Sequence, residues 1–222
     1  MTSDLSLAII NALRAGTVPS EGLEQVAVGL EDAQEALREQ RAFVRKGRGA
    51  YKFIRGPYGS GKTFLTGLAS CEAVAEGFVV SKVVVSVADT PLYRPSEIYR
   101  RLCQGLTLPG RRGGALQNLL DRWLYGLEQQ AIEVDGKRED DADFAAVVAR
   151  KVEQNLASVG QHAGRLAACI RAYHEAQFQQ DYAEARGVLD WLSGEAKVSA
   201  AVKRSAGVSG QIDNSDAFVF LR

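Results

Sequence analysis

Histidine, methionine and cysteine are scarce in this chain of 222 residues, which carries 2, 1 and 3 of them. Cys71, Cys103 and Cys169 are odd in number, far apart and never spaced as C-x-x-C. That excludes a zinc ribbon and argues for reduced thiols in a cytoplasmic protein. A His/Cys metal site would need His162 and His174 to converge with a distant cysteine; the reading preferred for both is surface or partly buried polar positions on helices. Net charge is also missing, since 27 Lys and Arg balance 27 Asp and Glu. A chain-wide cationic field for nucleic acid is therefore excluded. Arg111-Arg112 and Lys203-Arg204 are isolated pairs without the basic–aromatic alternation of a single-strand binder. No apolar run approaches the ~18 residues of a membrane span. At the N-terminus Asp4 precedes the apolar stretch and no basic segment leads it, unlike a secretory signal.

What is present is an ordinary globular composition, with 46% hydrophobic and 24% charged residues. The length suits one moderate domain, or one core with an insertion, and buries a core without disulfides. Leu5, Ile9 and Leu13 predict a short first helix, ended by Gly16 to Pro19. Val26, Leu30, Ala33, Leu37 and Phe43 predict a second helix over 23–44, with charged residues on its other faces. The period then changes. Tyr51 to Arg55 reads as a short strand, 61–76 as a helix, and 78–80 with 83–87 as the most β-prone stretch. Strand, helix and strand in that order predict a βαβ unit with parallel strands. Helical patterns then cover 96–106, 115–130, 142–159, 161–180 and 181–192, with one apolar stripe at Leu116, Leu119, Leu120, Trp123, Leu124 and Leu127 and another at Phe144, Val147, Val148, Val152 and Leu156. The expected fold class is α/β, a parallel-sheet P-loop core carrying a large helical insertion. The domain boundaries read as 1–92 for the N-terminal helices and βαβ core, 93–212 for the insertion, and 213–222 for the start of a return to the core.

The motif that carries chemistry is Gly56-Pro57-Tyr58-Gly59-Ser60-Gly61-Lys62-Thr63, a match to G-x-x-x-x-G-K-[ST]. With glycine near a tenth of the chain, a chance match arises in roughly one such chain in a hundred. Gly56, Gly59 and Gly61 permit torsions and a close approach that a Cβ resists. The amides of Gly59 to Thr63, with the positive end of the following helix, form a nest for anionic oxygens. Lys62 supplies a point charge to the β- and γ-phosphates of ATP and is the candidate catalytic residue. The Thr63 hydroxyl is the candidate ligand for Mg²⁺, and Phe64 offers a backbone amide to the α-phosphate. Pro57, Tyr58 and Ser60 shape the loop, and Tyr58 is alternatively a lid or a partner contact. Hydrolysis asks for more: an apolar strand ending in acid, a residue that positions water and an arginine finger. No Asp-Glu strand is present. Asp89 follows the nearest apolar run but leads into Thr90-Pro91, where a turn or cap role competes with Mg²⁺ contact. Asp213 and Asp216 read as helix caps, and no N-K-x-D segment is present for guanine.

Several segments together carry a family resemblance. They are 12–19, Gly22-Leu23, Val28-Gly29-Leu30-Glu31, Phe53 to Leu65, Ala88 to Tyr93 and Asp190 to Gly194. In these the chain resembles the P-loop ATP-binding proteins of bacterial BREX phage-defence systems. The resemblance implies an AAA-like ATPase with helices inserted before its acidic strand. It implies cytoplasmic action beside other defence proteins such as a helicase, with a homo-oligomer left open. It also places Val28-Gly29 beside an adenine pocket, against a plain helix-packing role. In the family the acidic strand follows the helical block, so the chain reads as the N-terminal part of a longer ATPase or a shortened relative. The leading expectation is an ATP-binding module with hydrolysis by this chain alone in doubt. Two readings compete with it. One is a nucleotide-stabilised scaffold that docks a partner through Trp123 or the 182–191 stretch. The other is a small-molecule kinase with Arg94, Arg100 and Arg101 as a lid.

Overall fold

The computed structural model describes residues 3–19, 21–110, 115–195 and 199–221. They form two compact units, 1–80 and 81–222. The first holds α1 (Ser3–Arg14), a 3-10 turn at Leu23–Gln25, α2 (Glu31–Arg45) and α3 (Lys62–Ala75). The second holds α4 (Pro95–Gln104), α5 (Leu116–Glu133), α6 (Phe144–His162), α7 (Gly164–Phe178), α8 (Tyr182–Leu192), α9 (Ala200–Ser205) and α10 (Asn214–Phe220).

The first unit has a small core. Ile9, Leu23 and Leu68 are its buried aliphatic side chains among the described residues. α1 stops where Gly16 takes a left-handed φ of 68° and the Thr17 hydroxyl donates to Ala12 O at 3.0 Å. The helix predicted over 23–44 is interrupted by Gly29, at φ 71°. Only α2 continues from it, while Leu23 turns inward on its own 3-10 turn. α3 lies against that turn, and a Cβ on Gly67 would stand 3.4 Å from Leu23 Cδ1. α2 buries no residue fully. It meets α3 through ions instead: Arg41 pairs with Glu72 at 2.9 Å and Glu76 at 2.8 Å. Gln34 Nε2 donates to Glu72 at 2.7 Å.

The second unit carries the main core, in which α7 packs against α6 and α8 and α4 against α10. The apolar stripes behave as their periodicity dictates: Leu120, Leu124 and Leu127 of α5 and Val148, Val152 and Leu156 of α6 are buried. Trp191 is wholly buried, donates Nε1–H to Gly210 O at 2.9 Å and stacks edge-on to Phe220. It is therefore a core residue rather than the docking surface of the scaffold reading. Gly187 lets α8 approach α9, since a Cβ there would sit 2.5 Å from Val202 Cγ2. Asp213 and Asp216 form a reciprocal capping box at the start of α10, as their spacing predicts.

The predicted parallel-sheet α/β core is not formed. Among the described residues the β geometry amounts to isolated bridges, such as the antiparallel pair Ser86 and Thr90, and no sheet is present. Apart from the bridge positions Val80 and Ser86, residues 51–55, 78–80 and 83–87 run as irregular chain. The reading rested on local β-propensity, which reports only how a side chain suits a pleated, half-buried surface. A strand also needs neighbours to satisfy its backbone, and two short parallel segments make too small a sheet to persist. The side chains show the consequence: Phe53 is 90% and Val87 87% exposed. The expected α/β fold is thus corrected to two helical units.

Candidate functional site

The glycine-rich loop lies in the first unit, between irregular chain and α3. Its strand-borne entry is absent; its helical exit is present, with α3 starting at Lys62. Ser60 N–H donates to Pro57 O at 3.3 Å and closes a four-residue turn. Gly59 stands third in that turn at φ 81°, where a positive φ calls for glycine. Gly61 caps α3 at φ 79°, again left-handed. A Cβ on Gly56 would stand 2.5 Å from Ser60 Oγ, so the loop folds tightly over this position. Pro57, Tyr58, Gly59, Ser60, Gly61 and Thr63 are exposed, while Lys62 and Phe64 are half-buried.

Lys62 curls back into its own loop. Its Nζ donates to Gly56 O at 3.0 Å, Pro57 O at 2.6 Å and Ser60 Oγ at 3.5 Å. Among the described residues no carboxylate pairs with it. Among the described residues the ammonium is therefore held by neutral acceptors alone. The first α3 amides, those of Lys62, Thr63 and Phe64, have no acceptor inside the helix. The first acceptor bond of the helix runs from Leu65 N–H to Gly61 O at 2.8 Å. A cation without a counter-ion among the described residues, free amides at a helix start and an exposed threonine hydroxyl thus share one loop. Such an arrangement suits an anion with several oxygens, and a metal that the anion itself brings.

The remaining sequence candidates fall elsewhere. Val28 is 86% exposed and Gly29 left-handed, in the turn before α2. Asp89 lies in the second unit, in a turn where its N–H donates to Ser86 Oγ at 3.0 Å. Arg100 and Arg101, offered above as a kinase lid, are both taken by Glu97 at 2.6 and 3.1 Å. The histidines and cysteines form no metal cluster among the described residues. Burial pushes the Cys169 thiol up to about 12 and raises Cys103 as well, so both stay protonated. Sequence reasoning missed the bracket that holds the loop's own helix, Arg41 on α2 against Glu72 and Glu76 on α3. The hydrogen bond from Arg41 leads the causes that hold Glu76 below the usual carboxylate range. The i, i+4 spacing of the two glutamates was its only trace in the sequence.

A family model described as BREX system ATP-binding protein BrxC/D matches residues 2–222. No curated protein and no solved structure matches the chain. Among the described residues no helix is long and apolar enough to cross a membrane.

Proposed function

The chain belongs to the family of BREX system ATP-binding proteins BrxC/D, and from that premise we propose that ATP is held with Mg²⁺ by the loop from Gly56 to Thr63. The family makes this an ATP-binding protein of a phage-defence system that works with other components. The observation that carries the finer reading is the Lys62 ammonium, cradled by carbonyl oxygens at the mouth of α3 and without an ion pair among the described residues. Those carbonyls are weak substitutes for phosphate oxygens, and the lysine exchanges them when a polyphosphate enters. The amides of Gly59 and of Gly61 to Phe64 then bind the phosphate chain, and the Thr63 hydroxyl, which has no partner among the described residues, takes one Mg²⁺ position. Bound Mg²⁺ would neutralise charge across the β- and γ-phosphates. Hydrolysis is not assigned to these residues, because no apolar segment ending in Asp-Glu is present to hold the metal for that step. Action in the cytoplasm, beside a helicase or as a homo-oligomer, remains part of the proposal.

A thermal-shift titration tests this. MgATP at a hundred times its Kd stabilises a binding-competent fold by about 2.7 kcal/mol, and Lys62→Ala removes the effect. An unchanged melting temperature of the parent chain at millimolar ATP or ADP would refute the reading. Turnover by the purified chain is expected to be negligible.

A further inference from the structure

The second unit holds a cavity of about 570 Å³ between α5, α7 and the first turn of α8. Asp121, Tyr125, Glu128, His174, Phe178 and Tyr182 are among its lining residues, and no lysine or arginine is. On α5, positions 121, 124, 125 and 128 share one face. Its two carboxylates lie two turns apart, about 10 Å along the axis.

These two acids differ in kind. Asp121 is held in place: it accepts from the Tyr173 hydroxyl and from Gln177 Nε2 at 3.4 Å. Glu128 is half-buried and has neither an ion pair nor a hydrogen-bond partner among the described residues. Burial, and then the like charge of Glu139, holds its carboxyl above the usual range. Several other half-buried acids are ion-paired, Glu72 with Arg41, Glu97 with Arg100 and Arg101, and Asp216 with Arg165. Burial also lowers His174, so the imidazole adds no positive charge at neutral pH. Around this unmatched negative charge stand three large aromatic side chains left open to solvent: Phe178 is 58%, Tyr125 60% and Tyr182 67% exposed. Their faces attract a cation, as the carboxylate does.

We propose that this cavity binds an organic cation, an alkylammonium or guanidinium group, that pairs with Glu128 and stacks on Tyr125 and Tyr182. Its volume lies within the range of sites for small ligands and single side chains. The cation comes either from a free polyamine or from an arginine or lysine side chain of a partner. This inference does not depend on nucleotide binding.

The test is an amide chemical-shift titration of the whole chain. Its probes are spermidine, a blocked Gly-Arg-Gly peptide and the same peptide with neutral citrulline for arginine. Either cation should shift the amides of α5 and α7 around 121–128 and 174–178, with citrulline binding about tenfold more weakly or not at all. A response to spermidine alone identifies a free polyamine, and a response to the arginine peptide identifies a side chain. Glu128→Gln should weaken either cation by about tenfold, and it should melt no lower than the parent because it removes an unmatched charge. Lys62→Ala should leave the titration unchanged. The proposal is overturned if no probe shifts these amides at about 10 mM, if citrulline matches arginine, or if Glu128→Gln binds as well as the parent.

Discussion

Leu68→Ala perturbs the element that presents the loop. Leu68 is 1% exposed, and it is the fully buried side chain of α3 in a unit with few others. The substitution removes three carbon groups, each worth about 0.8 kcal/mol of transfer free energy, or about 2.4 kcal/mol together. Incomplete collapse of the cavity brings the total to about 3–5 kcal/mol. Native-state hydrogen exchange reads this helix by helix. Protection of α3 amides should fall by about 3 kcal/mol or more, and α7, packed in the separate cluster around Tyr173 and Trp191, should change by under about 0.5 kcal/mol. MgATP at a hundred times its Kd for the variant should restore about 2.7 kcal/mol to α3, because only the folded loop binds it. A loss under about 1 kcal/mol would refute the burial argument. A full loss that saturating MgATP leaves unrelieved would refute the placement of the nucleotide on this helix.

Two further outcomes are expected. Arg41→Ala should lower the stability of the first unit by about 1–2 kcal/mol in urea titrations, the partial exposure of its partners keeping the figure modest. Glu76 is held below its ordinary 4.5 chiefly by the hydrogen bond from Arg41. Its contribution is therefore fully present above pH 4.5 and is lost as pH falls through the lowered value, so parent and variant should converge in acid. A difference that widens in acid would contradict this assignment. For the thiols, Cys71 is exposed whereas Cys103 and Cys169 are buried. A chromogenic disulfide reagent should titrate one thiol rapidly in the native chain and all 3 in denaturant; rapid native reaction of Cys169 would contradict its burial.

The helical block was legible because its signal is local and repeats. Leu120, Leu124 and Leu127, or Val148, Val152 and Leu156, mark a buried face by spacing alone, and the structure buries them. Asp213 and Asp216 were legible as caps because a capping box needs only four residues. The strands at 51–55 and 83–87 misled because β structure is made by partners distant in sequence, and a run of valines does not supply them. The helix from 23 to 44 was read through Gly29, whose left-handed torsion breaks it. The glycine, lysine and threonine spacing of the loop stood out in the sequence. The carbonyl cradle of Lys62 did not, because it depends on how the turn closes. The acidic cavity was invisible for the same reason: Asp121 and His174 converge only through the packing of two helices.

The turn ahead of α3 is proposed to grip a polyphosphate. Mapping MgATP-induced amide shifts along the whole chain tests this. The largest shifts should fall at Gly59 to Phe64, and Lys62→Ala should abolish them. Saturable ATP binding that leaves those amides unmoved, or that survives Lys62→Ala unchanged, would contradict it.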